Sequence, residues 1–188
     1  MRAFIAIDLP IEIRDGLSKI QDDLKDELPN ISWVKLQNLH FTLKFLGEIS
    51  LKQCNKIKQI ITEITKESPG FKIKLKSIGV FPNTHAARII WIGNNQLPVE
   101  LKHFTEQLDK RLVESGILQE ERLFRAHITI GRIKYQLISS DLKKAFDKAE
   151  NDLLSANLEF NCREITLFES TLSPGGPIYT ILEKFRII

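Results

Sequence analysis

Apolar positions along the chain alternate between the three-and-four spacing of helices and the two-residue spacing of strands. Ala3 to Asp8 predicts a short buried strand. Pro10 then opens a helix through Ile13, Leu17, Ile20, Leu24 and Leu28, and Pro29-Asn30 stops it. A short extended piece, Ile31 to Lys35, leads to a strand from His40 to Gly47. Cys54, Ile57, Ile61 and Ile64 predict a second helix, ended by Ser68-Pro69-Gly70. Phe71 to Lys76 alternates strictly, as a strand with one buried face does, and Ala87 to Gly93 is a fuller, more buried strand. Leu97, Leu101, Phe104, Leu108 and Leu112 trace a third helix, closed near Gly116. A strand over Ala126 to Ile133 and a helix over Ser140 to Leu154 follow. Two strands finish the chain, Leu158 to Phe168 and Ile178 to Ile187, joined by a turn at residues 173–177.

Strands and helices mix without the strict alternation of a doubly wound sheet, and the strand pairs read as antiparallel, so the expected class is α+β. His40 to Phe45 (HFTLKF) and His127 to Arg132 (HITIGR) align position for position. Each lies on a strand in its own half. That repeat predicts two pseudo-symmetric lobes, each with an antiparallel sheet and helices, facing each other across a central cleft. No low-complexity linker divides the chain, so residues 1–188 are expected to form one two-lobed domain.

Composition changes this picture little. At 188 residues the chain is long enough for a substantial core, and a net charge of +3 is compatible with an anionic ligand without requiring one. Cys54 and Cys162 are far apart and in no CxxC context, so no zinc finger or disulfide framework can be read from them. The opening MRAFIAIDLP meets Asp8 and Pro10 too soon for a signal peptide, and no later stretch is apolar enough to span a bilayer. A reduced cytoplasmic setting is the default expectation.

The chemistry lies in two His-x-Thr patterns. Residues two apart on a strand share a face, so His40 and Thr42, and likewise His127 and Thr129, project side by side. An imidazole exchanges protons near neutral pH, and a threonine hydroxyl donates to a phosphate oxygen. Two such pairs face to face form a clamp for one phosphodiester, with one histidine as acid and the other as base. The pattern alone is weak: with nine threonines in the chain, any histidine has about a 5% chance of a threonine two places on. His103-Phe104-Thr105 fits it too, but on a helix, where residues two apart diverge by roughly 200°. Four scattered histidines and two isolated cysteines offer no metal-ligand spacing, and no glycine-rich phosphate loop is present. No metal and no cofactor are expected.

These residues carry a resemblance. RAFIAIDLP at the start, WVKLQNLHFTLKFLGEI around His40, ARIIWIG, FRAHITIGR around His127 and the terminal LSPGGPIYTIL are together similar to the RNA 2′,3′-cyclic phosphodiesterase family, historically called 2′-5′ RNA ligases, within the two-histidine phosphoesterase superfamily. The resemblance implies a bilobed fold whose His-x-Thr strands line the cleft. It implies His40 as proton donor to the departing O3′ and His127 as the proton acceptor that activates water. Thr42 and Thr129 would hold the non-bridging oxygens. The implied reaction opens a 2′,3′-cyclic phosphate at an RNA end to a 2′-phosphate without metal, and ligase behaviour would have an RNA 5′-hydroxyl replacing water as nucleophile. A small cyclic nucleotide, a 2′-5′ oligonucleotide, or a non-catalytic RNA-end binding role are the alternatives. Family members contact the nucleobase five places after each histidine, here Phe45 and Arg132. Strict alternation puts these two on the opposite face from the histidines, so a bulge or strand end must re-aim them. Leu36 and Ala126 stand where the family pattern has proline. Arg88 is expected either to reach the phosphate or to pair with a carboxylate. Lys72, Lys74 and Lys76 read as a solvated strand face that would also suit an RNA backbone. A monomer is the expected state.

Overall fold

The structure is a computed structural model describing residues 1–117, 125–135 and 138–187; Phe124, which opens the FRAHITIGR segment, lies outside them. In chain order the elements are β1 (Arg2–Asp8), α1 (Ile11–Glu27), β2 (Ile31–Trp33), β3 (His40–Glu48), α2 (Leu51–Glu67), β4 (Phe71–Lys74), β5 (Ser77–Phe81), β6 (Ile89–Gly93), α3 (Val99–Glu114), β7 (His127–Ile133), α4 (Ser139–Ala156), β8 (Glu159–Cys162), β9 (Glu164–Ser173) and β10 (Gly176–Arg186).

The helices form where one apolar stripe can be buried. Ile13, Leu17, Ile20 and Leu24 of α1 are buried, as are Cys54, Ile57, Ile61 and Ile64 of α2. A capping box starts α2: the Ser50 hydroxyl accepts from the Gln53 N–H and the Gln53 side chain accepts from the Ser50 N–H. α1 packs on α4 and α2 on α3.

The strands pair antiparallel in the order β10-β9-β1-β3-β7-β6-β5, with β2 also on β7, and β4 and β8 form a separate two-stranded sheet. The fold is α+β in two lobes, one built on β10-β9-β1-β3 and the other on β7-β6-β5. The two strand groups are joined by one backbone bridge, Phe41 of β3 opposite Ile128 of β7. The last two strands return to the first lobe, so the repeat along the chain is only partly a repeat in space.

Two expectations about strands are corrected. Leu158 to Phe168 is not one strand: it breaks at Arg163, β8 pairing with β4 while β9 pairs with β1. β5 has no counterpart in the sequence reading: SIGVF is a five-residue segment interrupted by Gly79, and every one of its residues is half-buried. Lys72 and Lys74 do stand on an exposed strand face, both paired to Glu159 at 2.8 and 2.7 Å.

Candidate active site

The bridge between the lobes sets the geometry. Phe41 lies opposite Ile128 in an antiparallel bridge, so His40 and Thr42 flank that bridge on β3 and His127 and Thr129 flank it on β7. Phe41 and Ile128 are buried on the core face, while all four of these residues are half-buried on the other. The four groups therefore gather on one face of the bridge, two from each strand.

Both imidazoles are held in the same way. His40 Nδ1 lies 2.7 Å from the Asn38 carbonyl and His127 Nδ1 lies 2.5 Å from the Arg125 carbonyl, each two residues upstream. A carbonyl only accepts, so Nδ1–H donates in both, and Nε2 is left without its proton in the neutral ring. Aromatic rings wall the two histidines. Phe4 lies 4.9 Å from His40 and Tyr179 meets it edge-on at 5.1 Å. Phe81, stacked on Trp91 at 5.3 Å, meets His127 edge-on at 4.9 Å. Trp91 lies so close over Gly79 that a Cβ there would sit 2.5 Å from the indole.

The charged neighbours differ. Asp8 is the cross-strand partner of His40, accepts a hydrogen bond from Arg14, and has the Lys184 ammonium at 4.0 Å. Beside His127 stands Arg125, its guanidinium over the Phe81 ring at 5.4 Å. Burial is the main influence on both histidines and lowers both below the ordinary imidazole value. For His40 the Asn38 carbonyl and the Asp8 carboxylate oppose this, and His127 and Arg14 add to it. For His127 the Arg125 carbonyl opposes it and the Arg125 charge adds to it.

Phe45 and Arg132 do reach the histidine face, by matching bulges. β1 pairs Ala6 with Thr42 and Ile5 with Lys44, skipping Leu43. β6 pairs Trp91 with Thr129 and Ile90 with Gly131, skipping Ile130. One extra residue reverses the alternation in each strand. Phe45 consequently comes within 6.2 Å of Phe4, the same ring that touches His40, and is half exposed. Arg132 is exposed, with its charge felt by Tyr179. The same bulge turns Lys44 into the core, where its ammonium pairs with Asp109 of α3 at 2.9 Å. Uninterrupted two-residue alternation from His40 and Thr42 would put Lys44 on the histidine face; the bulge turns it to the other. Gln21 of α1 satisfies the bulged β7 by donating to the Ile130 and Val34 carbonyls at 2.8 and 2.9 Å.

The remaining candidates lie elsewhere. His103 is exposed on α3, and the hydroxyl of Thr105 donates to the Lys102 carbonyl, so this pair faces no cleft. Arg88 is exposed and among the described residues pairs with no carboxylate. Both cysteines are buried and free, and burial pushes the Cys162 thiol up to about 12. Among the described residues no three His, Cys, Asp or Glu side chains cluster as metal ligands, and no helix is long and apolar enough to cross a membrane. The larger cavity, about 700 Å³, is lined by Lys72, Cys162, Arg163 and Arg186, away from both His-Thr pairs. Chemistry, not volume, therefore places the site. Asp8, Tyr179, Phe81 and Trp91 were not singled out from the sequence; only strand register brings them to the histidines.

The chain matches the LigT-like phosphoesterase family twice, over residues 7–91 and 92–179. A Methanocaldococcus jannaschii protein named RNA 2′,3′-cyclic phosphodiesterase is 38% identical over 187 residues, covering 98% of this chain and all of that one. A protein of the same name from Methanothermobacter thermautotrophicus is 33% identical over 187 residues, covering 100% of this chain and 99% of its own length. Among solved structures, Escherichia coli LigT complexed with 3′-AMP superposes with a TM-score of 0.78 at 27% identity, over 99% of this chain and 97% of that one. TT0787 of Thermus thermophilus gives 0.81 at 25% identity, over 100% and 98%.

Proposed function

The chain belongs to the LigT-like phosphoesterase family, and on that premise we propose that it hydrolyses RNA 2′,3′-cyclic phosphate ends to 2′-phosphates by two-histidine acid–base catalysis. The observation that carries the reading is the gathering of His40, Thr42, His127 and Thr129 on one face of the bridge between β3 and β7, with Nδ1 of both histidines tied to an upstream carbonyl and Nε2 left for proton transfer. The whole chain acts as one two-lobed domain. Thr42 and Thr129 donate to the non-bridging oxygens. His127 Nε2 takes a proton from water as it attacks phosphorus, and His40 Nε2 gives one to O3′ as it leaves. Phe45 supplies an exposed ring for stacking, and Arg132 a guanidinium for the base or backbone. The protons and hydrogen bonds named here need no metal.

The charged neighbours support this division of roles. A carboxylate beside His40 favours the protonated ring that an acid needs; a guanidinium beside His127 favours the neutral ring that a base needs. An oligonucleotide ending in a 2′,3′-cyclic phosphate, incubated with the protein under exhaustive chelation, is expected to yield the 2′-phosphate. A 3′-phosphate product, or activity that returns only with a divalent ion, contradicts the reading.

The same neighbours set the pH dependence of kcat/KM. Activity rises with pH as the base loses its proton and falls as the acid loses its own, giving a bell. Because both histidines are lowered, the bell lies on the acid side of that for two unperturbed imidazoles. Asp8→Asn removes a carboxylate that holds the proton on His40, whose other charged neighbours are His127 and Arg14. The limb governed by His40 is therefore expected to move to lower pH while the other limb stays. A limb that does not move, or moves up, removes Asp8 from this role.

A further inference from the structure

The cavity of about 700 Å³ has no part in the chemistry above, yet it falls within the roughly 300–1,000 Å³ of small-ligand sites. Phe71, Cys162 and Ile187 give it a buried apolar lining, and its charged lining is entirely cationic: Lys72, Arg163 and Arg186. Burial pushes the Cys162 thiol up to about 12, so it stays protonated and offers no nucleophile. The cavity is built to bind, not to react. Its positive charge is not used up inside the protein. Lys72 shares Glu159 with Lys74, two ammonium groups on one carboxylate. Arg163 and Arg186 have no carboxylate partner among the described residues. Glu164, opposite Arg186 across the β9–β10 ladder, is taken by Lys184 at 2.8 Å. Two guanidinium groups, whose planar forks match phosphate oxygens, are left for a ligand.

A line of contacts joins this cavity to His40 along one face of the sheet. Arg186 pairs across with Glu164, and Asp8 pairs across with His40. Between them the Lys184 ammonium lies 2.8 Å from Glu164 and 4.0 Å from Asp8. Cross-strand partners share a face. The strands concerned, β10, β9, β1 and β3, are neighbours in that order, and at about 4.8 Å per step β10 and β3 stand roughly 14 Å apart. The two carboxylates on the way are matched by Lys184 and Arg14, so they present no unpaired negative charge to a polyanion.

We propose that this cavity anchors the RNA strand upstream of the cyclic phosphate, with Arg163 and Arg186 holding a backbone phosphate. The proposal rests on the RNA-end substrate and the acid role of His40 given under the proposed function. An in-line displacement puts the leaving O3′ and its ribose on the side of the acid, away from the attacking water. The strand therefore continues from that ribose over the lobe of β3, β1, β9 and β10. A stacked strand advances about 3.4 Å per nucleotide, so the anchored phosphate lies about four nucleotides from the reacting end. Contacts of this kind position a strand without reading its sequence. They also make length a determinant of affinity, since a substrate of one or two nucleotides cannot reach the cavity.

The experiment compares a dinucleotide and an octanucleotide, each ending in a 2′,3′-cyclic phosphate, on the unaltered protein and on the double variant Arg163→Ala, Arg186→Ala. The unaltered protein is expected to have a several-fold lower KM for the octanucleotide. The double variant is expected to raise that KM several-fold, to the level of the dinucleotide, with kcat kept. Its KM and kcat on the dinucleotide are expected to stay unchanged, which also shows that the variant folds. Equal KM for both lengths in the unaltered protein would overturn the proposal, because a cavity for a free anion does not discriminate by length. A length advantage that survives in the double variant would overturn it by placing the contact elsewhere. An equal loss on both lengths would overturn it by making the arginines supports of the active site. Failure of the unaltered protein to open either oligonucleotide would instead strike the reading of the substrate, and the anchor would fall with it.

Discussion

His40→Ala and His127→Ala each lower cyclic-phosphate hydrolysis by about 10²-fold or more, the scale of losing a general acid or base, and His103→Ala leaves it close to the starting rate. The contrast separates a catalytic from a generic loss. All three histidines carry a threonine two places on, but only two of them have Nδ1 tied to an upstream carbonyl on a strand facing the cleft. Initial rates on one substrate at matched protein concentration are sufficient, and equal rates in all three variants would remove the proposed mechanism. Burial of His40 and His127 makes a folding check necessary, since each ring also packs on aromatic neighbours.

The second large effect is on stability. Asp109→Ala is expected to cost about 3 kcal/mol, the low end for removing one partner of a buried pair, because Asp109 itself keeps some solvent. The Lys44 side chain is 5% exposed, and its ammonium would lose this counter-charge. For a chain of this size that corresponds to a fall in Tm of about 6–12 °C. Lys44→Met in the same background removes the stranded charge while keeping a stem of similar length, so it should recover most of the loss. A melting curve unchanged by Asp109→Ala would show that the pair does not anchor the β3 bulge.

That bulge marks the limit of what the sequence discloses. The His-Thr faces were legible because two-residue alternation is local: Phe41 and Ile128 point to the core whatever the strand pairs with. The positions of Phe45 and Arg132 were not, because each depends on one extra residue, Leu43 or Ile130, that is visible only against the neighbouring strand. Lys44 in the core was hidden for the same reason, its partner Asp109 being 65 positions away on α3. Asp8 was readable as the end of β1, but its place beside His40 follows from the register of β1 on β3. β5 was missed because its alternation, Ile78 and Val80 against Ser77 and Gly79, is too short to stand apart from a loop until its pairing with β6 is seen. The break at Arg163 was missed because the residues on both sides are strand-like, and only pairing assigns them to different sheets.

The division of labour between the histidines is tested most directly by changing the leaving group. O3′ leaves as a strongly basic alkoxide that needs a proton, whereas p-nitrophenolate leaves without one, so the contribution of a general acid shrinks on an activated nucleotide diester. Water must be deprotonated in both. Rates of His40→Ala and His127→Ala, each relative to the unaltered protein, are compared on the cyclic phosphate and on the p-nitrophenyl diester. The account predicts that the His40→Ala defect largely disappears on the activated diester while the His127→Ala defect persists. Rescue of His127→Ala instead would exchange the two roles, and rescue of neither would contradict leaving-group protonation by either histidine.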